Sequence, residues 1–149
     1  MTNNTFENRL DVFKDHSYQI VDIKSCIVKL SDTEDENKIK RYNFSLENSL
    51  LLSKKDSLLN LRTDVAIRGQ EIDSLLAKAR FEIIFKIVFQ EKAVDLEKVE
   101  PYIEDIRLYL MQSNFDTIRG LLFEKLKDTP YRSAIIPFME IQSKIKEAD

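Results

Sequence analysis

Glycine is almost missing from this chain: Gly69 and Gly120 are the only two in 149 residues. That scarcity excludes the glycine-rich loops that bring backbone amides up to a phosphate, and with them the usual nucleotide-driven chemistry. Cysteine and histidine occur once each, as Cys26 and His16. No intramolecular disulfide, zinc cluster or cysteine–histidine catalytic pair can be built from one chain. No cofactor is expected. The first residues, MTNNTFENRLDVFKD, lack the apolar core of an export signal, and charges such as Lys86 interrupt the richest apolar runs. Neither an export signal nor a membrane span is expected, and a lone thiol needs no oxidising compartment, so the sequence points to the cytoplasm.

What is present is ordinary for a globular domain: 43% apolar and 33% charged residues. A chain of 149 residues is expected to form one domain, burying about 68–70% of its unfolded surface. The net charge of -3, from 23 basic and 26 acidic side chains, argues against a dedicated nucleic-acid binder.

The strongest periodic signal is ARFEIIFKIVFQE, residues 79–91. Phe81, Ile83, Phe85, Ile87 and Phe89 alternate along it, which is the repeat of a β-strand. The opposite face carries Glu82, Ile84, Lys86, Val88 and Gln90, so Ile84 and Val88 need cover from another subunit or a ligand, or sit half-buried near a sheet edge. Upstream, YQIVDIKSCIVKL (18–30) has the branched composition of a strand. Its two competing in-phase series, Val21/Ile23 and Val28/Leu30, predict a bulge. Residues 1–16 carry scattered Phe6, Leu10, Val12 and Phe13, which suit a short amphipathic helix or an arm. His16 is expected at the surface and Cys26 as a small buried apolar group.

SDTEDEN (31–37) followed by KIKR predicts a solvated loop in preference to a calcium site or a nucleic-acid strip. Tyr42, Phe44 and Leu46 alternate in a second strand. A third is predicted over 57–69, with a helical alternative that Leu58, Leu61 and Val65 also fit, and a helical turn is allowed over Ile72 to Ala77. The last third changes period. Asp95 can cap a helix starting near Leu96, with Val99, Ile103, Ile106 and Leu110 as its stripe, a kink or new cap at Ser113-Asn114, and Phe115, Ile118, Leu122 and Leu126 beyond. After Asp128-Thr129-Pro130 an extended stretch leads to Pro137 and a final helix with Phe138, Ile141 and Ile145 inward. The predicted class is α+β: a four-stranded antiparallel sheet with a long helix, a kink being allowed at 113–114, and a short C-terminal helix packed on one side.

From Tyr18 onward the order of elements resembles the bacterial export chaperone SecB and the wider SecB-like family. Tyr18-Gln19-Ile20 is similar to the family's entry into its first strand, and Tyr42-Asn43-Phe44-Ser45-Leu46 to its alternating segment before the central hairpin. Asn114, Ile118-Arg119, and Thr129-Pro130 through Ile135-Ile136-Pro137 resemble its long helix and the connection to its last one. The resemblance implies a dimer or tetramer that holds unfolded or extended polypeptide in apolar grooves without ATP. It carries over Tyr42, Phe44, Leu46, Phe138 and Ile141 as client-binding positions, each of which also fits ordinary core. The chain departs from the family where export members carry acids for their motor partner SecA: Ile27 and Ser31 stand there, and the end SKIKEAD mixes two lysines with two acids. A dedicated client, such as an antitoxin, therefore fits at least as well as general export. The rival readings are an oligomeric structural or regulatory protein that uses its apolar faces only for self-association, and an enzyme built on Glu100 and Glu104, whose i, i+4 acids lack a partner histidine.

Overall fold

The structure, a computed structural model, describes residues 16–31, 42–70, 74–90, 92–132 and 134. Five strands and one long helix build an α+β fold: β1 (Ser17–Leu30), β2 (Tyr42–Ser53), β3 (Leu58–Gly69), β4 (Leu75–Phe89), β5 (Lys92–Ala93) and α1 (Ile103–Leu126). The main strands are antiparallel in the order β1-β4-β3-β2, and the short β5 pairs with the end of β4. The strand with the strongest alternation thus lies inside the sheet, between β1 and β3.

Its alternation sets the layers. Phe81, Ile83, Phe85 and Ile87 are buried, and opposite them on β3 lie the buried Leu59, Leu61 and Thr63. α1 covers this face with Ile106, Leu110, Met111, Phe115, Ile118, Leu122 and Leu126. Under the helix the Thr63 hydroxyl donates to the Met111 sulfur at 3.7 Å, so the one polar group in this layer of β3 finds a partner. The competing helical reading of 58–67 fails because period-two burial, not helical spacing, matches the face that α1 needs to cover.

Several local expectations are corrected. Leu75 to Ala77 belong to β4, where Ala77 lies opposite both Leu30 and Ile67; sheet pairing overrides local helix propensity there. Ser74 is a bend, and residues 72 and 73 of that expected turn lie outside the described residues. Phe89 is 38% exposed, because β4 ends where Gln90 takes a φ of 51° and turns the chain into β5. The helix does not start near Leu96: turns lead to a 3-10 turn at Glu100–Tyr102, with Pro101 inside it, and α1 begins at Ile103. No kink interrupts it at 113–114. The buried Asn114 instead donates its amide to the Leu110 carbonyl at 2.8 Å, within the helix. Tyr131 lies in a turn and is fully buried. Its hydroxyl donates to the Ser31 carbonyl at 2.5 Å, tying the chain after α1 to the end of β1. The expected final helix, the 32–41 loop and the N-terminal residues 1–15 lie outside the described residues.

Candidate functional site: two unequal sheet edges

The two edge strands finish the helix-covered face differently. β2 runs opposite β3 in unbroken register from Tyr42↔Gly69 to Ser53↔Leu58. A four-residue turn closes the hairpin, with Ser57 at a φ of 54° and the Ser53 hydroxyl donating to Asp56 at 3.1 Å. The register sets Phe44 beside Ile67 and Leu46 beside Val65. Tyr42, Phe44 and Leu46 therefore lie on the helix side of the sheet, packed against the core yet half-buried, on a strand whose far side has no neighbour among the described residues.

The same row continues through Asn48 to Leu50 and Leu52. Asn48 is where the helix is fastened. Arg107 donates through Nη1 to Asn48 Oδ1, and through Nε and Nη2 to Glu104 at 3.1 and 2.9 Å. The guanidinium is buried and meets three acceptor contacts, so its desolvation is offset. Sequence reasoning missed this clamp. Arg107 has no periodic signature, and its partner is 59 residues away.

β1 is irregular by contrast. Its register against β4 shifts between Ile20 and Asp22 and again between Ile27 and Lys29, so Val21 and Val28 sit in bulges, where competing alternations were expected. Ile20, Ile23, Ile27 and Leu30 lie opposite Phe85, Ile83, Ala79 and Ala77, which places them on the helix side. Even so, the branched and aliphatic residues of β1 are between 36% and 54% exposed. α1 turns Tyr109 and Phe123 outward, both exposed, and a Cβ at Gly120 would meet nothing within 4 Å. At the start of β1, Tyr18 faces Tyr109 across a trough.

One end of that trough deepens into an open cleft of about 370 Å³ lined by His16, Tyr18, Ile20, Phe85, Tyr109 and Asn114, among others. The Tyr18 and Tyr109 rings lie 5.4 Å apart, and His16 stacks on Phe89 at 4.6 Å. Burial first, and Tyr109 second, push the Tyr18 hydroxyl up to about 12. His16 is thus half-buried and not simply at the surface, whereas Cys26 is exposed and not buried. Cys26 lies opposite Arg80, on the sheet face turned away from α1.

That outer face also holds Ile84 and Val88, both half-buried. Ile84 lies opposite Asn60 and Asp22, and Val88 opposite Ser17 and Ala93. Strand neighbours cover their flanks. Farther along, Arg80 donates to Asp64 at 2.8 and 3.3 Å and holds that carboxyl below its usual range. The candidate acids do not form a pair: Glu100 accepts from Lys54 at 2.8 Å and Glu104 from Arg107. Among the described residues no group of three acidic, histidine or cysteine side chains is placed to hold a metal, and no helix is long and apolar enough to cross a membrane. Phe138 and Ile141 lie outside the described residues, so the structure brings together three of the five expected client positions.

Set against family models and curated proteins, the chain matches none. Among solved structures it is similar to a SecB-like chaperone of Mycobacterium tuberculosis in complex with a peptide from the HigA1 antitoxin, at 12% identity and a TM-score of 0.46, over 83% of this chain and 88% of that one. A likeness of that size carries no functional argument, and the sheet order and helix placement above stand on the chain's own pairing.

Proposed function

We propose that this protein is an ATP-independent holding chaperone that takes extended, apolar polypeptide along β2, over Tyr42, Phe44 and Leu46. The observation that carries the reading is the half-burial of these three side chains on a regular strand with an open edge. An extended segment lying there would cover what the domain leaves bare, at roughly 1.5–3 kcal/mol for each client side chain fully buried, less the cost of ordering it. Single contacts of this kind are weak. Several copies in one oligomer would raise the effective concentration of each further contact and give firm holding with little sequence preference. Phe138 and Ile141 are proposed to complete the surface. The work is assigned to the cytoplasm, with one client or many, and without the SecA motor, since Ile27 and Ser31 replace its acidic docking residues.

A second reading, self-association alone, is favoured by a specific observation: Ile20, Val21, Ile23, Ile27, Val28 and Leu30 are all exposed along one strand, an apolar surface of the kind that marks contact sites. Ile84 and Val88 are the other candidates for a face between copies. The two readings separate in one experiment. Mixed at equal molar amounts with a chemically denatured test protein and no nucleotide, the chaperone delays light scattering, and Phe44→Ala shortens the delay with the circular dichroism unchanged. Sedimentation showing an oligomer that leaves aggregation untouched would replace the first reading with the second.

A further inference from the structure

The sheet face turned away from α1 carries charges on all four main strands, and the register groups them in rows. In the row of Lys24, Glu82 and Arg62, each charge lies opposite one of the other sign. The next row sets Cys26, Arg80, Asp64 and Glu47 side by side. Asp64, whose charge Lys78 also feels, is already engaged there by Arg80 at 2.8 Å. The row after that is different. Lys29 lies directly opposite Lys78, with only Ala66 and Ser45 beyond them, and Arg68 stands diagonally from Lys78 across the β3–β4 pair. No salt bridge reaches any of these three cations from the described residues. Like charges directly opposite each other weaken a sheet. A lysine on an edge strand such as β1 is explained by protection against foreign strands, but Lys78 is on a central strand, where that reason does not apply.

We propose that this end of the outer face, centred on Lys29, Lys78 and Arg68, docks an acidic polypeptide segment, a short run of aspartate or glutamate presented by a partner protein. Carboxylates laid over the row would relieve the repulsion between Lys29 and Lys78 and meet donors that make no ion pair with the described residues. The size of the patch sets the length of the run. Neighbouring strands are about 4.8 Å apart, so three strands offer cations over roughly 10 Å, enough for a few carboxylates and no more. Asp64 and Glu47 in the adjoining row close it off. A nucleic acid duplex, with a charge about every 1.7 Å along its axis, would lie across those carboxylates, and among the described residues no aromatic side chain is placed on this face to stack bases. The patch is on the opposite side of the sheet from Tyr42, Phe44 and Leu46 and does not depend on a client being held there.

Cys26 is the chain's single cysteine, it is exposed, and it lies in the row next to the patch, so its alkylation by uncharged iodoacetamide reports cover at this position in the full chain. A short polyglutamate peptide, which has no apolar side chain to offer a client surface, is expected to slow the alkylation several-fold and saturably, and high salt to restore the free rate. Lys29→Gln combined with Lys78→Gln is expected to abolish the slowing with the circular dichroism unchanged. Lys98→Gln combined with Lys127→Gln, which removes the same charge from exposed positions elsewhere, is expected to keep it. Slowing that survives the loss of Lys29 and Lys78, or no slowing at all, would overturn the proposal. So would equal protection by a single-stranded oligonucleotide, which would make the patch a general polyanion site. Protection that grows with protein concentration before any peptide is added would also overturn it, by assigning the face to a second copy.

Discussion

β1 and β2 are both edge strands of one sheet, and both offer branched or aromatic side chains to the side that carries α1, yet they end up in different states. Along β2 the helix is fastened through Arg107 and Asn48, and Tyr42, Phe44 and Leu46 are partly buried, more so than the apolar residues of β1. Along β1 the apolar residues from Ile20 to Leu30 stay exposed. The apolar content of a strand alone therefore does not decide its burial on an edge. The edges also differ as templates. Two bulges interrupt β1, a common protection against pairing with foreign strands, whereas β2 keeps one register throughout and has no strand on its far side among the described residues.

The largest effect that could break this contrast is loss of the clamp. Arg107→Ala leaves Asn48 and Glu104 without their buried donor and is expected to cost about 1–3 kcal/mol in urea unfolding; a change near zero would mean that α1 is held over β2 by packing alone. Next, Phe44→Ala removes a partly buried ring and should cost roughly 1–3 kcal/mol, less than the 3–5 kcal/mol of a fully buried phenylalanine. The counterpart on the other edge, Ile23→Ala, is expected to stay within about 0.5 kcal/mol when measured at a dilution where the protein is monomeric. Equal costs at 44 and 23 would erase the distinction between the edges.

How much of this was legible in the sequence follows from the same contrast. The alternation at 81–87 announced the central strand because both neighbours and the helix reinforce it, and the period change after Asp95 announced the helix. Val21 and Val28 announced the bulges through conflicting alternations. Period two cannot tell an edge from a centre, however, so the exposure of Ile20 and Cys26 was not visible, nor was the half-burial of His16 against Phe89. Asn114 looked like a helix breaker because its side chain competes for backbone groups; in the fold that same side chain bonds the Leu110 carbonyl and leaves α1 whole. Of the expected client positions, Tyr42, Phe44 and Leu46 were placed on one face of a strand by alternation, and their client role rests on the family resemblance. The Arg107 clamp that limits their surface was not, since long-range polar pairs leave no local pattern.

The central claim is tested most directly by titrating the isotopically labelled protein with an unfolded apolar peptide and following backbone amide resonances. The account predicts saturable shifts concentrated on Tyr42 to Leu46 and on their β3 partners Val65 to Gly69, with the central residues of β4 unmoved. Saturating shifts confined to β1 and the exposed face of α1, or no shifts at any peptide concentration, would contradict it.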